Sequence, residues 1–558
     1  MKTILKILIF TFVIVQIGEN MQVDFSQISG MSELFINYIN NFENVKNYYE
    51  INFRDENSYE RIFSNIKNRN RKEISEIIKN QYTNFSPSEK TNSNIELLKK
   101  ENTITVFTGQ QLGLFGGPLY TIYKIFSAVK LSEYLNDKFK SYNFVPIFWM
   151  AGDDHDFEEI ANLKILNNEN EIETIIYNDE IKNEENSGSV GSLKFSNSVI
   201  DFKDEISKSL RETEFIKEVT NFADDVLKPN LTIAESFFKF IFKIFDETGL
   251  IIFNPQDKDV KKLLIPIFKK ELTDFKIHTK DILLRSVDLD ENYHSQVKVK
   301  PINLFFSDET GRHLIEPIED EFRLKGKRKR ITKEELLNFV EEKPECFSPN
   351  VLLRPICEDY LFPTGFYVAG PSEVNYYAQA IPLYKHFNLQ HPFVYPRASA
   401  TILESNIAKI LMKYNLSTSQ FFGDFQKLKE EILNNISDNS VEQIFNSASL
   451  NIENVLKQLS NSLEVIDKTL NDSTKSTSEK ILHQLEILKS KSLKLQESKF
   501  EATIRQIKKA KNNIFPNDNL QERELGIANF INKYGFDFFD WLYNELDIHE
   551  FKHQILEL

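Results

Sequence analysis

The densest run of reactive side chains in the sequence is Ala151-Gly-Asp-Asp-His-Asp-Phe-Glu-Glu159, directly after the apolar run Phe144–Met150. Three adjacent carboxyl groups and an imidazole can orient an amine, take its proton, or hold a divalent cation. Asp156 and Glu159 also have the D-x-x-E spacing of a helix capping box. Capping accounts for that pair and leaves Asp154 and His155 unexplained. Asp154 and His155 are therefore the expected catalytic groups, on chemistry that needs a base beside a nucleophile.

A second candidate lies upstream. The apolar run Thr103–Phe107 leads into a loop holding Gly109, Gly113, Gly116 and Gly117, and Pro118 is placed to open a helix. Glycines let a ligand approach the backbone, and unpaired N–H groups at a helix start favour an anion. Gly109, Gln110, Gln111, Gly117, Tyr120 and Thr121 are the expected contacts. Lys124, one turn further on, is placed to neutralise a phosphate or carboxylate. The competing reading is a tight strand-to-helix connection followed by a surface lysine. The loop matches neither G-x-x-x-x-G-K-[ST] nor G-x-G-x-x-G.

The same logic recurs at 352–397. Gly365–Ala369 reads as a strand, Gly370-Pro-Ser-Glu373 as a turn and helix start, and Val374–Phe387 as a helix. Arg354, Gly370, Ser372 and Glu373 are candidate ligand contacts, with Glu358 and Gln379 near them. Ser372 and Glu373 can equally cap the helix. His294, Gln296 and Asn303 lie on strand-like segments together with Lys298 and Lys300; a lone histidine there reads as structural. H-x-G-H, K-M-S-K-S, H-E-x-x-H, C-x-x-C and G-x-S-x-G are absent, and no metal ligand set is assigned.

These groups need a frame. Buried-strand candidates alternating with helices predict a doubly wound α/β core, in which ligands bind beyond the C-terminal strand ends. Residues 21–400 are read as this Rossmann-like core, with an insertion around 164–235. From 401 to 515 apolar residues recur three or four apart, with one glycine and no proline. That predicts a helical coiled coil with its turn at Asn471–Ser478. Residues 516–558 read as a helical, aromatic tail packing back on the core. Residues 1–20 are signal-like, or a mis-assigned start ahead of Met21.

Composition narrows the function. The chain has 558 residues, is 41% hydrophobic and carries a net charge of −15. That charge argues against a general nucleic-acid binder, and the basic run Arg323–Arg330 reads as a solvated loop. Two cysteines, Cys346 and Cys357, do not make a disulfide framework and fit a reducing compartment. Each reads as a buried structural thiol before a nucleophile.

Taken together, Phe107–Lys124, Pro146–Glu159, Phe347–Pro355, Tyr367–Tyr377 and Phe515-Pro…Leu520-Gln-Glu-Arg523 resemble the bacillithiol synthase (cysteine ligase) family over nearly the whole chain from Met21. The resemblance implies a Rossmann-type core with inserted segments and a dimerising C-terminal coiled coil. It implies a cytoplasmic amide-forming ligase joining L-cysteine to the amine of glucosaminyl-malate, with no nucleic-acid or membrane partner. A nucleotide such as ATP, with Mg, is the expected source of carboxylate activation. A synthetase of similar fold acting on another amine or acid is the rival reading, and a non-catalytic coiled-coil scaffold a third.

Overall fold

The computed structural model describes residues 22–66, 70–154, 156–179, 188–436, 441–467 and 470–558. His155 and the N-terminal reading lie outside them. The chain divides into two compact units. One runs to Thr401 and takes in Asn519–Leu556; the other comprises Ile402–Asp518 with Glu557–Leu558.

The first unit is built on five parallel strands: β1 (Thr103–Gln111), β2 (Asn143–Ala151), β3 (Ile251–Phe253), β4 (Thr364–Ala369) and β5 (Phe393–Pro396). Their order is β5-β4-β1-β2-β3. Phe144 through Met150 are all buried, as expected of a strand covered on both faces. The connection after β1 winds toward β2 and that after β4 toward β5. The order therefore reverses between β1 and β4, and a crevice must open there beyond the strand ends. Helix α1 (Tyr120–Lys138) follows β1. Helix α2 (Lys258–Leu263) follows β3. Helix α3 (Arg354–Leu361) precedes β4, and α4 (Pro371–Phe387) follows it.

Strand β1 runs four residues beyond the apolar stretch that announced it, because its far end pairs with Trp149, Met150 and Ala151 of β2. The glycines beyond it serve chain-to-chain contact. A Cβ on Gly113 would lie 2.7 Å from the Gly117 Cα, and one on Gly116 would lie 2.3 Å from the Phe240 ring. Gly116 also sits at φ +87°, outside the comfortable range of other residues. Helix α1 begins at Tyr120, two residues after Pro118.

A second sheet, antiparallel and five-stranded, is built from later segments. Its order is Arg330–Thr332, Glu321–Leu324, Gly311–Ile318, Leu304–Asp308 and Phe347–Pro349. The strand-like reading of 293–305 holds only from Leu304 onward. Residues 293–303 form no strand; the segment is pinned by Gln379, whose amide accepts from the Val297 N–H (2.8 Å) and donates to its carbonyl (2.9 Å). The tail reading needs a similar correction. Residues 519–556 contain helices, but the chain ends in a strand, His553–Glu557, paired antiparallel with Gln22–Val23. Short alternating segments are set by their partner, which no local pattern reveals.

The second unit is helical. Val441–Glu464 and Leu470–Lys499 pack along one another. Asn471–Ser478, read as their turn, is the first part of the second helix. The Thr474 and Thr477 hydroxyls bond back to the carbonyls of Leu470 and Ser473, absorbing the polar groups that suggested a loop. No helix among the described residues is long and apolar enough to cross a membrane.

Candidate active site

A cavity of about 560 Å³ opens beyond the C-terminal ends of β1, β2 and β4. It is lined by Gly109, Gln110, Gln111, Tyr120, Lys124, Asp154, Arg354, Gly370, Ser372 and Glu373, so the three separate stretches of sequence meet in one space. Two predicted contacts are elsewhere. Gly117 lines an adjoining cavity of about 880 Å³, and Thr121 is buried and lines neither. The start of α1 is not an open anion cradle. Its Leu119, Thr121 and Ile122 amides already donate to the carbonyls of Leu525, Pro118 and Leu119.

The floor of the crevice is a buried ion pair. The Lys124 ammonium lies 2.5 Å from Glu373 Oε2 and donates to the Gly109 carbonyl (2.7 Å) and Gln110 Oε1 (3.0 Å). Lys124 is therefore not a surface lysine. Burial pushes its pKa down to about 8 against the pull of Glu373. Burial works the other way on Glu373, but Lys124, Arg354 and the Gly370 N–H (2.7 Å) hold its carboxyl below the ordinary range. Glu373 thus caps its own helix and anchors Lys124. The Tyr367 hydroxyl donates to its other oxygen at 2.8 Å.

Arg354 is caught between carboxylates. Its Nη2 lies 3.9 Å from Glu373 Oε1 and its Nε 3.4 Å from Glu358 Oε1, and Nη2 also donates to the Tyr376 hydroxyl. Glu358 is fully buried, and neither oxygen has a hydrogen-bond partner. Burial raises its pKa to about 8 despite Arg354, and raises that of the adjacent Asp359 to about 7. Cys357, beside them, is fully buried, and burial drives its thiol well above the ordinary value, which disfavours a nucleophilic role.

The acidic wall comes from the end of β2. Asp154 accepts from Gln111 Nε2 at 2.8 Å and lies 3.6 Å from Arg312 Nη1. Asp153 is gripped by Lys261 at 3.0 and 3.2 Å. Asp156 caps the short helix Phe157–Ile160 through the Glu159 N–H (3.1 Å), which is half of the expected capping box; the Glu159 carboxyl accepts from Gln111 instead. The described residues contain no group of three or more His, Cys, Asp or Glu arranged to hold a metal ion. Both Asp153 oxygens are already taken by the Lys261 ammonium, so the Asp153–Asp154 pair does not fit a magnesium ion.

Sequence reading missed two cationic residues of the lining. Arg397 and Arg523 line the cavity, their guanidinium carbons 5.5 and 5.8 Å from the centre of the Tyr120 ring. Arg397 is held by the fully buried Glu522 (2.5 Å), whose carboxyl accepts also from Ser399 Oγ and the Ala400 N–H at 3.0 Å. Glu522 and Arg523 come from the tail segment, over a hundred positions from Arg397, and single basic residues leave no local signal. Lys298 and Lys300 also face this space.

The sequence matches two family descriptions in tandem. Residues 21–398 match "Bacillithiol biosynthesis BshC, N-terminal Rossmann-like domain", and residues 400–558 match "Bacillithiol biosynthesis BshC, C-terminal coiled-coil domain". A Salinibacter ruber protein named "Putative cysteine ligase BshC" is 32% identical over 95% of this chain and 97% of its own. Proteins of that name from Chloroherpeton thalassium and Bacillus cereus strain ZK / E33L are 31% and 30% identical, over 90% and 85% of this chain and 92% and 88% of theirs. The crevice, its strand order and the helical second unit thus belong to one architecture: the chain is a member of the bacillithiol biosynthesis BshC family, with a Rossmann-like core followed by a coiled coil.

Proposed function

We propose that the chain is a cytoplasmic ligase that joins L-cysteine to the amine of glucosaminyl-malate, forming the amide of bacillithiol. The observation that carries this reading is the mixed lining of one cavity: Asp153 and Asp154 beyond the end of β2 share it with Arg354, Arg397 and Arg523. An amine needs a carboxylate to take its proton; carboxylates on a substrate need cations. The relatives' name, cysteine ligase, supports cysteine as a substrate, and in this proposal its carboxyl is the acid partner.

In this mechanism the cysteine carboxyl reaches the site as an activated acyl group, with a nucleotide as the co-substrate that activates it. Asp154 accepts a proton from the attacking ammonium. The freed amine nitrogen bonds to the acyl carbon, the bond from that carbon to the activating group breaks, and the activating group leaves with the second nitrogen proton. Lys124 and Glu373 hold the β1 and β4 ends at fixed separation, and Arg354 offsets negative charge. The test is direct: the purified chain is supplied with cysteine, glucosaminyl-malate and ATP, and the thiol product is followed by mass. Product with glucosaminyl-malate and not with other amines supports the reading; the reverse preference returns it to a synthetase of other specificity.

The second unit acts in this proposal as a homodimerisation element. Leu450, Val455, Leu459, Leu488 and Leu495 are exposed on its two long helices in the single chain. Sedimentation equilibrium checks it: Leu459→Lys is expected to weaken a dimer that the unaltered chain forms.

A further inference from the structure

Two buried cations sit behind the two aspartates at the end of β2, each delivered by a different part of the fold. Lys261 is on α2, the helix that leaves β3, the neighbour of β2. Its side chain is 2% exposed, and its three N–H groups are all placed: two on the Asp153 oxygens and one on the Phe347 carbonyl at 3.1 Å. Arg312 comes from the antiparallel sheet. Its Nε donates to Ser348 Oγ at 3.0 Å and its Nη2 to the Pro349 carbonyl at 3.2 Å. Its plane lies over the Phe305 ring, 3.8 Å from the centre. That clamp fixes the direction of the remaining Nη1, which lies 3.6 Å from Asp154 Oδ1. Gln111 holds the other Asp154 oxygen from β1.

The two aspartates are not equivalent. Asp153 is 21% exposed and has both oxygens on Lys261; Asp154 is 36% exposed and its arginine is more distant. An ammonium on both oxygens of Asp153 opposes its protonation, and Asp154 is the more accessible carboxylate to a ligand in the cavity.

We infer that Lys261 and Arg312 are positioning residues that divide the labour of this pair: Lys261 pins Asp153 into a fixed wall, and Arg312 with Gln111 holds Asp154 aimed at the substrate amine. This rests on the ligase reading for the identity of the amine. The charged groups facing Asp154 among the described residues are Arg312 from the antiparallel sheet, Asp153 with Lys261 behind it, and Glu159 from the short helix after β2, which shares Gln111. Burial and Asp154 raise Glu159. Lys298 and Lys300 face the same cavity, and His155 is the sequence neighbour.

The experiment compares Arg312→Gln and Arg312→Lys with the unaltered chain. An opposite charge within a few ångströms lowers a carboxyl pKa by about 1–3 units. Arg312→Gln is expected to move the acid limb of the kcat/KM profile up by about one pH unit. It should also raise KM for glucosaminyl-malate while KM for cysteine stays. Arg312→Lys should restore at least half of the displacement. A second readout needs no turnover: the Asp154 carboxyl, identified by its loss in Asp154→Asn, is titrated by carbon NMR of aspartate-labelled protein. An Asp154 titration that is the same in Arg312→Gln as in the unaltered chain overturns the assignment. If the unaltered chain makes no amide from these substrates, the ligase reading fails separately, and the NMR titration still decides the role of Arg312.

Discussion

The ammonium of Lys124, on the helix after β1, lies 2.5 Å from the carboxylate of Glu373, on the helix after β4. The pair bridges the point where the strand order reverses; Lys124 is buried and Glu373 nearly so. Removing one member of such a pair leaves an uncompensated charge. Lys124→Met is expected to lower unfolding stability by about 3–5 kcal/mol. Lys124→Met with Glu373→Gln should recover part of that loss. Urea unfolding of the two single variants and the double gives the coupling.

Glu358 and Asp359 predict an unusual slope of stability with pH. Both are buried beside one another, and burial raises Glu358 from 4.5 to about 8. Between those values the folded state binds a proton that the unfolded state has released, so stability falls as pH rises. Glu358→Gln removes that group from the balance. Urea titrations at pH 5, 6, 7 and 8 should show the unaltered chain losing stability relative to the variant, by up to about 1.4 kcal/mol per pH unit. The same or a rising relative stability would mean Glu358 is ionised in the fold.

Gly116→Ala tests what the glycine loop is for. The added methyl meets the Phe240 ring and forces a positive φ on alanine. A loss of about 1–3 kcal/mol is expected from the clash. Gly116→Ala with Phe240→Leu should recover part of it, which a loop shaped only for a ligand would not show. The readout is the thermal midpoint of each variant.

Asp154→Asn keeps the size and the Gln111 contact side of the residue but removes the base. Its kcat/KM for amide formation is expected to fall by about 10²–10⁴. Asp156→Asn changes only a helix cap that asparagine can also supply, so its activity should stay near that of the unaltered chain. Equal effects from both would separate Asp154 from the chemistry.

Much of the site could be read from the chain because the active side chains sit at strand ends. Asp154, Gln111 and Glu373 each follow an apolar strand with a glycine nearby, and the doubly wound order brings those ends together. Residues that act through a partner left no such mark. Lys261 is one lysine among several in Lys258–Leu263, and only the pairing of β3 with β2 carries it under Asp153. Arg397 and Arg523 are distinguished by Tyr120 between them, a contact across more than a hundred residues. The glycine loop misled for a related reason: small residues mark close approach, and the sequence does not say whether the approaching group is a ligand or Phe240. The same holds for Asn471–Ser478, whose hydroxyls suit a turn until a helix offers them carbonyls.

Glu522 and Arg523 lie in a segment separated from Thr401 by the whole helical unit. A chain emerging from the ribosome therefore exposes its parallel strands long before Arg397 meets its counter-charge. The crevice stays electrically unfinished until residues past 519 arrive. Maturation of this pocket is thus tied to synthesis past Arg523, and stalled or clipped products that retain all five parallel strands but stop short of it should still be inert.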